Sequence, residues 1–250
     1  PFIQHCEDLA LTREGEMNEG ETSTRLGLIG SPSEAEVIII DRDLHLLRRT
    51  KARYHVAHIS TRAGIDAVRK AKIEGLAVTA DTSPPYFLLN ELAVSTYNTA
   101  FKLSPPLRSE DDRKAVIEGL ADGTIDAISS DHMPVDRDAK MQPFSLAQPG
   151  ASAVDTLLAL CLTLVHQGQI SMTRMIEALS IAPASILNIE GGTLSPGGAA
   201  DFILFRPHSS WIITGANFIS DSRITPFESH PVQGLVDATY VNGLAVFKRD

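Results

Sequence analysis

Residues 54–80 decide how this chain is read. Tyr54-His55-Val56-Ala57-His58-Ile59 is a short β-rich run that ends on polar residues, and Arg62 to Glu74 follows as an amphipathic segment. Gly75 closes it, and Leu76-Ala77-Val78-Thr79-Ala80 returns to an apolar, β-branched texture. Strand, polar loop, helix, strand is the signature of a βαβ unit and so of a parallel sheet.

The same rhythm extends outward. Downstream, Ser109 to Leu120 reads as a helix ended by Asp122-Gly123, and Ile125 to Ser129 as a strand. Val154 to Val165 and Met172 to Leu179 read as further helices. Upstream, Pro1 to Cys6 reads as a strand. Glu7 to Gly30, rich in Gly, Glu, Asn and Thr, reads as a long loop. Ser33 and Glu36 have capping-box spacing, and Val37, Ile40, Leu44 and Leu47 continue one apolar stripe. After Ile189 the texture changes. Gly191-Gly192 and Pro196-Gly197-Gly198 mark turns, while Asp201–Phe205, Leu235–Val241 and Leu244–Phe247 are β-rich, with Asn242-Gly243 as a hairpin signal. The expectation is an α/β part over residues 1–189 and a small β-rich tail over 190–250. A closed (β/α)8 barrel takes eight strand–helix units and about 250 residues. Only four or five units are legible before the tail, so the sheet is open or the chain is the later part of a barrel. An opening on Pro1, with no initiator Met, reads as processed or truncated.

Bulk properties exclude several classes. The net charge of −9 with no basic run argues against nucleic-acid binding. The longest apolar stretch, Ala151 to Val165, is interrupted by Ser152, Asp155 and Thr156 and is too short to span a membrane. Two cysteines, Cys6 and Cys161, give no disulfide framework and point to a reducing cytoplasm.

The polar residues that end the strands carry the candidate chemistry: His5-Cys6-Glu7-Asp8, His55 to His58, and Ser130-Asp131-His132. Parallel strands bring their C-terminal ends to one side, so these residues converge. Two imidazoles and a carboxylate suit zinc and similar ions. Plainer readings compete: a strand-end histidine is commonly a hydrogen-bonded structural residue, and Asp-His before a loop is commonly a turn or cap. If the strand keeps its alternation, His55 and His58 do not both face the same way.

Taken in order, these segments resemble the dihydroorotases of the amidohydrolase superfamily, of the multifunctional-complex type. The resemblance rests on His5-Cys6-Glu7-Asp8 with Met17-Asn18-Glu19-Gly20, on Tyr54 to Thr61, on Leu103-Ser104-Pro105-Pro106-Leu107-Arg108, and on Asp122 through Asp131-His132-Met133-Pro134. The tail from Gly192 to Asp201 and from Gly234 to Phe247 is similar to the C-terminal strands of that superfamily's β-sandwich. Three departures from the family pattern stand out. Ser104 replaces an asparagine, Val135 replaces a histidine, and Ser83-Pro84-Pro85-Tyr86 replaces Thr-Pro-His-His. The family's His-x-His strand is absent from the chain.

The resemblance implies a partial (β/α)8 barrel with an appended β-sandwich segment. It implies interconversion of dihydroorotate and N-carbamoyl-aspartate in pyrimidine biosynthesis, with one or two zinc ions. His5, His58 and Asp131 would be metal ligands, Asp131 the proton shuttle, and Ser104, Pro149 and Gly150 substrate contacts. It also implies a homo-oligomer, with aspartate transcarbamoylase as a partner. The alternatives are a non-catalytic scaffold partner of that transcarbamoylase, or another ring-opening enzyme such as a hydantoinase or allantoinase.

Overall fold

A computed structural model describes residues 1–249. Asp250, the last residue of the tail, lies outside the described residues. In chain order the elements are β1 (Phe2–His5), α1 (Leu9–Thr12), β2 (Met17–Asn18), α2 (Glu21–Leu26), β3 (Gly30–Ser31), α3 (Glu34–Thr50) and β4 (Tyr54–Ala57). Then come α4 (Arg62–Ile73), β5 (Val78–Thr82), α5 (Pro84–Leu88), α6 (Glu110–Asp122), β6 (Ala127–Ile128) and α7 (Arg137–Lys140). The last stretch holds α8 (Leu157–His166), α9 (Met172–Ile176), α10 (Ala182–Leu187), β7 (Phe202–Ile212), β8 (Pro231–Val241) and β9 (Leu244–Lys248). The chain forms two compact units. One comprises residues 1–155 and 215–226, the other residues 156–214 and 227–250.

The first unit is built on a parallel sheet in the order β1-β4-β5-β6. His5 aligns with Ala57, Tyr54 with Val78, and Thr82 with Ile128. All four residues of β4 are buried, as expected for a parallel strand covered on both faces. Helix α3 packs on α4, and α4 on α6. Ile65 and Val68 of α4 are sealed from solvent, and each stabilises the unit by about 2 kcal/mol. By contrast, Phe2 and Ile3 of β1 are exposed, at 75% and 56%. They sit on the strand that ends the sheet.

Several expectations need correction. The segment from Glu7 to Gly30 is not a loop: it holds α1, α2 and the two-residue parallel pair β2–β3. Each piece is too short to impose a periodicity on the sequence. The capping box expected at Ser33 and Glu36 does not form. Ser33 is helical at φ −63° and makes no side-chain cap bond, while Glu36 is buried at 2% exposure. A capping box forms instead at Ser109 and Asp112, at the start of α6.

In the second unit, the helix expected over Met172–Leu179 runs on to Leu187 through a π-helical turn at Glu177–Ile181. Pro183 has no N–H to continue the regular ladder, which accounts for the widening. Strands β7, β8 and β9 form an antiparallel sheet in that order. Strand β7 reaches Ile212, beyond the expected Phe205, by way of a register shift between Arg206 and Ser210. Pro207 lies inside that irregularity, where a missing donor is tolerated. Asn242 and Gly243, at φ 49° and 77°, make the expected hairpin turn between β8 and β9. Gly234 of β8 is needed for packing, since a Cβ there would sit 2.3 Å from Leu162 Cδ1 of α8. No helix among the described residues is long and apolar enough to cross a membrane.

Candidate active site

The ends of β1, β4, β5 and β6 bring His5, His58, Asp81, Ser129 and Asp131 together. The rings of His5 and His58 are 6.1 Å apart, and His58 Nε2 lies 3.8 Å from Asp131 Oδ1. The three residues singled out from strand-end position therefore form one cluster.

His58 is held from behind. Its Nδ1 is 3.1 Å from Asp81 Oδ1 and 3.2 Å from Ser129 Oγ, and its backbone N–H donates to the same Asp81 oxygen at 3.1 Å. Asp81 is buried and receives His55 Nε2 at 2.8 Å and the Ser129 hydroxyl at 2.7 Å. In a neutral imidazole, an Nδ1–H given to Asp81 leaves the Nε2 lone pair facing Asp131, the orientation a metal ligand needs.

His55 and His58 thus meet at one carboxylate, against the expectation from strand alternation. Strand β4 ends at Ala57, and His58 leaves the pleat at φ 57°. Asp131 is also left-handed, at φ 49°. Non-glycine residues in that region are strained by about 1–2 kcal/mol.

Burial works to raise the Asp81 carboxyl, but the bonds from His55, His58 and Ser129 outweigh it and hold it below the carboxylate range. Burial works to lower His58, and the Asp81 bond and charge, with that of Asp131, outweigh it and raise the ring. Asp131 moves up because burial, reinforced by Asp81, prevails over the charges of His58 and His5. At 3.8 Å the His58 contact is too long for a hydrogen bond that would reverse this.

The remaining candidates are placed less uniformly. His5 Nε2 lies 3.6 Å from Glu7 Oε2 and 3.5 Å from Ser104 Oγ. The nearby His5 ring leads the lowering of Glu7 below its ordinary value. Ser104 and Pro149 line a cleft of about 430 Å³, together with Glu7, Met17 and Ser31. Gly150 is buried, and its N–H is already given to the Lys102 carbonyl at 3.0 Å, so it is not available to a ring substrate. Gly150 holds φ 121°, and a Cβ there would meet the Met133 carbonyl oxygen at 2.6 Å. His132 is used structurally: its Nδ1 accepts from the Ala153 N–H at 3.1 Å, 21 residues away. Val135 is buried. Asp81 was missed by the sequence reading although it directly follows the expected strand Leu76–Ala80, where the strand-end rule applied to its neighbours would have found it.

The donor chemistry of His5, His58 and Asp131 fits zinc, and the Asp81 bond to Nδ1 is the support a ligating histidine has. The fit is that of an incomplete set. Among the described residues, no three His, Cys, Asp or Glu side chains are close enough together to hold an ion.

Residues 5–246 match the amidohydrolase family. A dihydroorotase of Syntrophus aciditrophicus is 44% identical over 249 residues, covering 100% of this chain and 58% of that protein. A dihydroorotase of Pelobacter propionicus is also 44% identical, over 100% of this chain and 59% of its own length. The chain therefore spans somewhat over half the length of these relatives. Among solved structures, the L-hydantoinase (dihydropyrimidinase) of Arthrobacter aurescens superposes with a TM-score of 0.88 at 26% identity, over 98% of this chain and 56% of its own.

Proposed function

The chain belongs to the amidohydrolase family, and we propose that it works as a dihydroorotase, opening and closing the cyclic amide of dihydroorotate. The observation that carries the proposal is the convergence of His5, His58 and Asp131 at the strand ends of one parallel sheet. It is supported by the 44% identity to the two dihydroorotases. On this reading residues 1–189 are the later part of a (β/α)8 barrel, and 190–250 belong to a β-sandwich.

His5 and His58 would hold zinc, with Asp131 at the same centre. Bound zinc supplies acidified water and a polarised carbonyl. The chain's own part is positional and protonic. Asp81 fixes the ring of His58. Asp131 takes the proton from the attacking water at its carboxylate and hands it to the ring nitrogen as the C–N bond breaks, and the reverse sequence closes the ring. Ser104 offers its hydroxyl to the substrate, and the Pro149 and Gly150 carbonyls offer acceptors. The two free, buried cysteines fit a cytoplasmic protein. A homo-oligomer that associates with aspartate transcarbamoylase belongs to the same reading.

The test is ultraviolet monitoring of dihydroorotate hydrolysis by the full-length protein. Asp131→Ala lowers turnover by roughly 10²–10⁴-fold with much of the metal retained. His58→Ala loses metal, because each imidazole supplies one of only a few bonds to the ion. Undiminished turnover in Asp131→Ala would sink the assignment. The hydantoinase fold match favours a second reading, ring opening of a hydantoin or dihydropyrimidine. A panel of these rings beside dihydroorotate decides between them, and metal-free, inactive protein would point to a scaffold.

A further inference from the structure

Glu36 lies in the first turn of α3, where a carboxylate ordinarily faces water or caps the helix. Here it is buried, and both oxygens are occupied by one turn. The Ser60 N–H donates to each oxygen at 3.2 Å and the Ser60 hydroxyl to Oε2 at 2.5 Å. The Thr61 N–H and hydroxyl donate to Oε1 at 3.0 and 2.7 Å. Gly64 makes room for this arrangement. A Cβ there would stand 3.0 Å from Glu36 Oε1 and 2.9 Å from Thr61 Oγ1, so glycine lets the start of α4 close over the carboxylate.

The turn so held is the one that follows His58. On its strand side, the His58 N–H is fixed by Asp81. The Ile59 N–H follows, given to the Asp81 carbonyl at 2.9 Å, and on the helix side Glu36 takes the donors of Ser60 and Thr61. The left-handed backbone of His58 is therefore pinned at both ends. A second buried side chain reaches the same serine. Arg108 Nε donates to Ser60 Oγ at 3.1 Å, and its guanidinium continues to Asn18 Oδ1 at 3.1 Å and the Ser31 carbonyl at 3.3 Å. Arg108 closes the segment that begins at Ser104, whose hydroxyl lies 3.5 Å from His5 Nε2. Ser60 Oγ, giving to Glu36 and receiving from Arg108, is the joint between the two histidine supports.

We infer that Glu36, Ser60 and Arg108 form one positioning hub that sets His58 for a divalent metal ion and ties its turn to the Ser104–Arg108 segment beside His5. The inference rests on the proposed metal role of His58. It assigns function to residues that act through His58 and its turn. A buried carboxylate and guanidinium are expensive unless fully bonded, and apolar side chains of like volume often stabilise as well. What the hub adds is geometry.

The experiment uses the full-length protein with cobalt(II) as the probe, since its visible bands report ligand geometry. Ser60→Ala, Glu36→Gln, Arg108→Lys and the Glu36→Gln/Arg108→Lys pair are compared by chelator competition. The melting temperature of metal-free protein serves as the control for folding. Each single variant is expected to hold cobalt about tenfold more weakly, with shifted bands. The pair is expected to be no worse than the weaker single, as for residues acting through one joint. Should Glu36→Gln fail to fold, Ser60→Ala decides, because it keeps the backbone donors and removes only the joint. Unchanged cobalt affinity and bands in folded Ser60→Ala or Arg108→Lys, or additive losses in the pair, would overturn the hub. A wild-type protein inactive on dihydroorotate but showing these cobalt effects would sink the dihydroorotase reading and leave the hub standing. An active protein indifferent to them would do the reverse.

Discussion

Asp81 Oδ1 stands 3.1 Å from Nδ1 of His58 and receives that residue's backbone N–H at the same distance. One carboxylate oxygen thus sets both the ring and the backbone of the residue whose Nε2 faces Asp131. Asp81→Asn keeps the size but offers an NH₂ group where an acceptor is needed. Metal retention by the full-length protein, measured by chelator titration, should fall by about 10–100-fold. Retention equal to wild type would mean that Asp81 is only a core residue.

Ser83 gives a stability prediction of opposite sign. Its hydroxyl is fully buried and is the one buried side-chain polar atom among the described residues with no hydrogen-bond partner. An unsatisfied hydroxyl costs about 1–3 kcal/mol. Ser83→Ala should therefore stabilise the protein by about 1 kcal/mol in urea unfolding. A destabilised variant would show that the hydroxyl has a partner in solution.

Lys140 supplies the pH dependence. It is buried, and its ammonium donates to the carbonyls of Thr99 at 2.8 Å and Lys102 at 3.1 Å. Burial first, and the Lys102 charge second, lower it from 10.5 to about 8. The unfolded chain then binds more protons between those values, so this residue's contribution to stability rises as pH climbs from about 8 to 10.5. The full gap is on the order of 3 kcal/mol. Urea midpoints of wild type minus Lys140→Met, taken at pH 7.5, 9 and 10.5, should shift in favour of wild type. A flat difference would contradict the depressed value.

The open side of β1 predicts behaviour of the 1–250 polypeptide on its own. Strand β1 pairs only with β4 among the described residues, and Phe2 and Ile3 are exposed beside its free edge. Such edges recruit other strands, and a lysine blunts them. The polypeptide should self-associate in sedimentation velocity, and Ile3→Lys should reduce that association. A monodisperse monomer with wild-type sequence would argue that the edge is inert.

Much of the parallel core was legible because β4, α4 and β5 have long enough apolar patterns to reveal their period. The convergence of His5, His58 and Asp131 was legible because strand ends collect on one side. What escaped was set by contacts between distant residues. Glu36 carried the spacing of a helix cap, but the donors of Ser60 and Thr61 compete for it, and no local pattern announces a partner 24 residues away. The meeting of His55 and His58 at Asp81 escaped because alternation fails once the strand ends. The short elements between Glu7 and Gly30 owe their form to tertiary packing. Met17, for example, is buried with Val94 and Phe144.

The left-handed backbone at His58 and Asp131 also bears on how this protein can change over generations. Glycine relieves such strain, and asparagine tolerates it better than most residues. In a lineage released from catalysis, replacements of that kind at positions 58 and 131 would be favoured by folding alone, and drift would soon erase the imidazole and the carboxylate. On the proposed reading, they are two places where selection for stability and selection for chemistry pull apart. A library screened only for soluble expression should enrich glycine at both positions, while one screened for turnover should restore histidine and aspartate.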